Sequence, residues 1–83
     1  MTPPVKIYTL STCIHCKAAK KFLDNCGVKY EFKDVDMVSV EEQSELLEEV
    51  RRFNPGCTFP TIIIGNKIII GFREEVVREA LGL

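Results

Sequence analysis

The sequence predicts an α/β chain of element order βαβαββα, with one four-stranded mixed sheet flanked by three helices. Three observations lead there: apolar residues recur at helical spacing in three stretches, β-branched runs of strand length lie between them, and Gly or Pro marks the junctions. At 83 residues the chain suits a single small domain over 1–83, and it must use most of its apolar residues as core.

Residues 5–10, VKIYTL, are apolar and β-branched enough for a buried strand. In HCKAAKKFLDNCG, Ala18, Ala19, Phe22, Leu23 and Cys26 form one helical face, with Lys17, Lys20, Lys21 and Asp24 on the other. Gly27 stands where a left-handed C-terminal cap needs a residue without Cβ. VKYEFKDV (28–35) alternates as a second strand. Ser39 followed by Glu42 reads as a capping box opening a second helix, whose stripe Leu46, Leu47, Val50 and Phe53 ends at NPGC (54–57). TIIIGNKIII (61–70) reads as a hairpin, with Gly65-Asn66 suited to a type II′ turn. After Gly71, a short helix turns Val76, Val77, Ala80 and Leu81 inward. The first strand–helix–strand unit pairs in parallel through a right-handed crossover, and the hairpin adds an antiparallel pair.

Charge excludes two classes of function. Eleven Lys and Arg against twelve Asp and Glu leave a net charge of −1, with no clustered cation for nucleic acid or an acidic membrane. Met1–Lys6 shows no basic stretch followed by an apolar one, and apolar runs such as Ile62–Ile64 are strand-sized. The expected compartment is the cytoplasm, where glutathione and thioredoxin keep thiols reduced and permanent disulfides are uncommon.

In that setting Cys13-Ile14-His15-Cys16 is the motif that carries chemistry. Cys13 falls at or just before the first helical residue, where unpaired N–H groups and the helix dipole favour an anion. Thiols so placed have pKa values of roughly 3.5–7.5 instead of about 8.5. Lower basicity costs intrinsic nucleophilicity, so faster attack gains only a few-fold, but it also makes the sulfur a better leaving group. Residues at i and i+3 within a regular helix hold their Cβ atoms about 5–6 Å apart, too far for the roughly 3.8 Å of a disulfide. Cys13 outside the helix and Cys16 in its first turn close that gap. A structural staple and a metal site are the other readings. The compartment disfavours the first; a zinc site wants four ligands and no second closely spaced pair appears, although His15, Cys26 and Cys57 could in principle complete a set. Repeated exchange, with Cys13 as attacker and Cys16 as resolver, is the best-supported reading.

His15 either supplies charge or partner contact beside Cys13 or is a solvated helix-start residue. Lys17, Lys20 and Lys21 either attract acidic partners or, as a charge run more often does, form a wet helix face; Cys26 reads as core. Cys57 is either a packed thiol or a third reactive one. In CTFPT, Pro60 stands at a strand entrance, where it lacks a ladder donor and the preceding bond can be cis.

With YTLSTCIHC, TFPTIIIG and GFREE in this order, the chain from Ile7 to about Leu81 resembles the glutaredoxins, whose arrangement is thioredoxin-like. The resemblance implies thiol–disulfide oxidoreductase activity on protein or glutathione-mixed disulfides, with Cys13 and Cys16 as the redox pair. It implies that Pro60 is cis and faces Cys13, with Thr58 and Phe59 offering backbone groups to an extended substrate. Ile14, His15, Gly71, Phe72, Arg73 and Glu74 complete the expected substrate-binding set. It implies no metal and no bound cofactor, with glutathione as a possible reductant or co-substrate. The expected partners are disulfide-containing proteins and either glutathione or a flavoprotein or ferredoxin-linked reductase, with the chain acting as a monomer. Three positions depart from typical members: Ile14-His15 replaces Pro-Tyr, Leu10 replaces a basic residue, and Ile70-Gly71-Phe72-Arg73-Glu74 replaces Gly-Gly-x-Asp. The Gly-Phe-Arg segment instead resembles redoxins that serve ribonucleotide reductase and are recharged by thioredoxin reductase. The alternative reading is an iron–sulfur or metal-carrier glutaredoxin holding a cluster between two subunits.

Overall fold

The computed structural model describes residues 3–83. Its elements are β1 (Val5–Thr9), α1 (Ile14–Asn25), β2 (Glu31–Asp34), α2 (Val40–Phe53), β3 (Thr61–Ile64), β4 (Lys67–Ile70) and α3 (Glu74–Leu81), with a single 3-10 turn at Val35–Met37. The strands form one sheet in the order β2-β1-β3-β4. β1 pairs in parallel with β2, Ile7 opposite Phe32, and antiparallel with β3, Ile7 opposite Ile62. β3 and β4 form the expected hairpin, closed by Gly65 and Asn66 between Ile64 and Lys67. Gly65 takes φ +61 and Asn66 stays out of the left-handed region, as a type II′ turn requires.

Alternation along β1 sorts its side chains between two core layers. Val5 and Ile7 join Ala19 and Leu23 of α1, Ile62 and Ile64 of β3, and Val77 and Leu81 of α3. Tyr8 faces the other way and packs with Val35 and with Leu46 and Val50 of α2. α1 and α3 therefore cover one face of the sheet, and α2 the other. Burial of each large aliphatic side chain contributes about 1.5–3 kcal/mol.

The local signals behave as their chemistry dictates. Gly27 adopts φ +69 after α1; its amide donates to the Asp24 carbonyl, and that of Val28 to the Leu23 carbonyl, a Schellman closure. This closure explains why β2 is shorter than the 28–35 expected: Val28 is spent on the cap, and only Glu31–Asp34 meets β1. At α2 the Ser39 hydroxyl accepts from the Glu42 amide at 3.2 Å, half of the capping box. The Glu42 carboxylate turns instead to Lys33, 3.6 Å away. No helix among the described residues is long and apolar enough to cross a membrane.

Strand polarity fixes where chemistry can occur. β1 ends, β3 begins and β4 ends at the same edge of the sheet, so the segments around Cys13, Pro60 and Gly71 converge there. The Gly71 amide donates to the Pro60 carbonyl at 2.8 Å and ties two of them together.

Candidate active site

Cys13 is the N-cap of α1, extended at φ −80 and ψ 123, and Cys16 lies in the first turn. The turn before the helix is closed by the Cys13 amide on the Leu10 carbonyl at 3.2 Å, and the Cys13 carbonyl accepts from Lys17 at 3.0 Å. The Cys13 sulfur is half-exposed at the open end of the helix. The Cys16 amide does most to hold the Cys13 thiol below its ordinary range; slight desolvation opposes this, while the Cys16 thiol and the His15 amide assist. No acidic side chain occupies the first turn of α1 to offset that effect.

Cys16 is the opposite case. Its side chain is fully buried, and burial pushes its thiol up to about 11. The Leu10 amide, 3.4 Å from the sulfur, favours the thiolate; contact with Cys13 and its charge disfavour it, and the Lys20 ammonium favours it. The two thiols, three residues apart, are thus shifted in opposite directions: the accessible one towards its thiolate and the sheltered one towards its protonated form.

The loop carrying Cys13 is clamped from β2 and the turn after it. The Ser11 amide donates to Asp36 Oδ1 at 2.9 Å and the Ser11 hydroxyl to Asp36 Oδ2. These two bonds, the hydroxyl's first, hold the Asp36 carboxyl below the usual range. Below them, the buried Thr9 hydroxyl is shared between the Asp34 carboxylate and the Lys33 carbonyl. Lys20 Nζ reaches the same Asp34 oxygen at 2.9 Å and lies 4.2 Å from the centroid of Phe32. The expectation of a uniformly wet lysine face therefore fails at Lys20. Lys17 and Lys21 are exposed, but Lys20 stands four residues after Cys16 and shares its side of α1.

Across the sheet the Phe59–Pro60 peptide is cis and Pro60 is buried. Since Tyr8 pairs with Thr61, Pro60 stands one step further along, beside Thr9. Buried Asn54 organises this segment: its Nδ2 donates to the Thr58 carbonyl at 3.2 Å, the Thr58 hydroxyl at 2.9 Å and the Thr61 hydroxyl at 3.1 Å. Thr61 also donates to the Thr58 carbonyl at 2.8 Å. The Thr58 carbonyl is thus already occupied from within, while the Thr58 N–H and the Phe59 backbone take no part in this network.

The remaining residues divide. Ile14, 78% exposed, and His15 stand beside Cys13 at the surface. Gly71 takes φ +83 and is bound to Pro60. Phe72 is half-buried and packs on the edge of the core against Phe22, ring centroids 5.7 Å apart. Arg73 caps α3 and, with Glu74, lines a shallow recess of about 310 Å³. Cys26 packs on the α1 side of the core, as expected, and Cys57 is half-buried on the α2 side at φ +50. Ser11, Thr9, Asp34, Asp36 and Asn54 are the members that local sequence patterns miss: the first four act through partners 25 residues away, and Asn54 acts across an irregular turn with no periodic pattern. Only Lys20 carries a readable signal, its spacing from Cys16.

An accessible thiol favoured as thiolate and a buried one at a helix start, at the sheet end that also carries a cis proline, form a thiol–disulfide exchange geometry. The sequence profile of the glutaredoxins matches residues 5–69. The chain belongs to the glutaredoxin family. A glutaredoxin-like 8.6 kDa protein from the rubredoxin operon of Clostridium pasteurianum is 32% identical over 88% of the chain and 91% of that protein. Among solved structures, methanoredoxin of Methanosarcina acetivorans superposes with a TM-score of 0.94 at 44% identity, covering 99% of this chain and 87% of that one. The glutaredoxin-like NrdH-redoxin of Escherichia coli superposes at 0.69 with 30% identity, covering 92% of each. Like its glutaredoxin relatives, the protein is a thioredoxin-fold thiol–disulfide oxidoreductase.

Proposed function

We propose that the protein reduces protein or glutathione-mixed disulfides by a dithiol mechanism. The observation that carries this reading is the unlike pair, with Cys13 held as the half-exposed helix cap and favoured as thiolate while Cys16 is buried and protonated. The Cys13 thiolate attacks one sulfur of the target disulfide; a new S–S bond to Cys13 forms as the old bond breaks, and the departing thiolate takes a proton from water. Cys16 then loses its proton to solvent and attacks Cys13. The Cys13–Cys16 bond forms, the Cys13–partner bond breaks, and the partner leaves with two electrons gained. Cys13 leaves readily in the return half-reaction because its thiolate is favoured.

The reductant is either glutathione or a thioredoxin-reductase-type enzyme. The Gly71-Phe72-Arg73 segment supports the second, as does likeness to a redoxin described as having a thioredoxin-like activity profile. A coupled assay on a small disulfide, run once with glutathione and glutathione reductase and once with thioredoxin reductase, tests both parts. Turnover in at least one system, lost in Cys13→Ser, is expected. Undiminished turnover in Cys13→Ser would overturn the mechanism.

A further inference from the structure

A buried thiol with its proton held tightly is a poor nucleophile, yet the second step of the proposed reaction needs Cys16 as thiolate. Among the described residues, Lys20 is the cation whose charge reaches Cys16. Lys20 follows Cys16 by four residues, so the two side chains share one side of α1. Its side chain is only 21% exposed, held by Asp34 at 2.9 Å and by the face of Phe32. Asp34 is fixed in turn by the buried Thr9 hydroxyl at the end of β1, just before the cysteine loop. We propose that Lys20 is a positioning residue for the resolving step: its ammonium, anchored on Asp34 and Phe32 beside Cys16, stabilises the Cys16 thiolate as it attacks Cys13. This inference rests on the dithiol reading.

The charged groups around Cys16 leave Lys20 as the cation suited to this task. Cys13 faces it from the loop and, as an anion, opposes a second negative charge. From β2 and the turn after it come Asp34 and Asp36, both within reach of the Lys20 charge. Lys33 is turned to Glu42, and His15 and Lys17 are exposed on α1. The Lys20 ammonium acts on Cys16 in the direction of the thiolate. Anchoring matters physically. A freely solvated lysine is screened over about 8 Å at physiological salt, whereas a cation pinned at the protein surface keeps its field on one sulfur. Once Cys13 is bonded to a partner its negative charge is gone, so the Lys20 contribution then meets least opposition.

Stopped-flow reaction with 5,5′-dithiobis(2-nitrobenzoate) between pH 5 and 9 separates the two steps. Release of the first thionitrobenzoate depends on reagent concentration; release of the second, by Cys16, does not. Burial keeps the Cys16 thiol above this range. Removing the charge in Lys20→Gln or Lys20→Met is therefore expected to weaken its acidity by about one pH unit, read as a slower second step across the range. Thiolate then falls about tenfold while its nucleophilicity rises about threefold, so release at pH 7 slows about threefold. The first step is expected to stay within about twofold, and Lys20→Arg, which keeps the charge, to resolve within about twofold of the natural protein. Resolution in both charge-removing variants at the natural rate would overturn the proposal, as would Lys20→Arg slowed as much as they are. A natural protein with no reagent-independent release would instead overturn the dithiol reading, and this proposal with it.

Discussion

The Leu10 amide points at the sulfur of Cys16 across 3.4 Å, while the Leu10 carbonyl accepts from the amide of Cys13. One residue at the end of β1 thus contacts both members of the redox pair, and everything that fixes Leu10 also fixes their relative placement. Leu10 stands where relatives in the family commonly carry a basic residue; in this chain its backbone does the positioning and its side chain packs on the α2 core.

The division of labour between the two sulfurs gives the most direct pair of variants. Cys16→Ser is expected to keep the first attack and accumulate a mixed disulfide at Cys13, visible as the added mass of one partner in intact-protein mass spectrometry. Cys13→Ser is expected to form none. Mixed disulfides on Cys16 in the second variant would reverse the assigned roles.

The Ser11–Asp36 clamp has a pH signature. Its carboxyl is held below the ordinary value of about 3.9, so the charged form gains stability on folding. That gain is fully present above the ordinary value and disappears as pH falls through the lower, folded value. Following the Ser11 amide by NMR should show a midpoint below about 3.9. In Asp36→Asn the same amide should exchange with solvent faster. A midpoint at or above the ordinary value would mean the clamp is absent in solution.

Asn54 should be costly to remove. Its side-chain amide serves Thr58 twice and Thr61 once from a buried position. Asn54→Ala leaves those acceptors short of partners, at a cost of about 1–3 kcal/mol. For a domain of this size that corresponds to a melting temperature lower by roughly 4–20 °C. Thermal unfolding by circular dichroism measures it, and an unchanged transition would contradict the network.

Two apolar residues of α1 separate packing from contact. Leu23 is fully buried, and Leu23→Ala should cost about 2–5 kcal/mol. Ile14 is exposed beside Cys13, and Ile14→Ala should change stability by less than about 0.5 kcal/mol. Its effect should instead be a raised KM for a protein disulfide with little change for a small one. Equal effects on both substrates would remove Ile14 from the partner surface.

These particulars show what was legible from sequence. Gly27, Ser39 and Gly65 act within a few residues of themselves, so their caps and turn could be read along the chain, as could the placement of Cys13 just outside α1. The boundaries of β2 could not, because a strand ends where its partner β1 ends and where the preceding cap takes Val28. Asn54, Asp34 and Asp36 look like loop and strand-end polar residues until the fold brings Thr61, Thr9 and Ser11 against them. Helical patterning assigns Lys20 to solvent, whereas an aspartate and an aromatic ring from β2 hold it in.

The account turns on Cys13 as a ready nucleophile, and its rate of alkylation by iodoacetamide as a function of pH tests that most directly. With Cys16→Ser removing the competing thiol, the rate should rise through a midpoint clearly below the ordinary cysteine value of about 8.5. A midpoint at or above that value would contradict it.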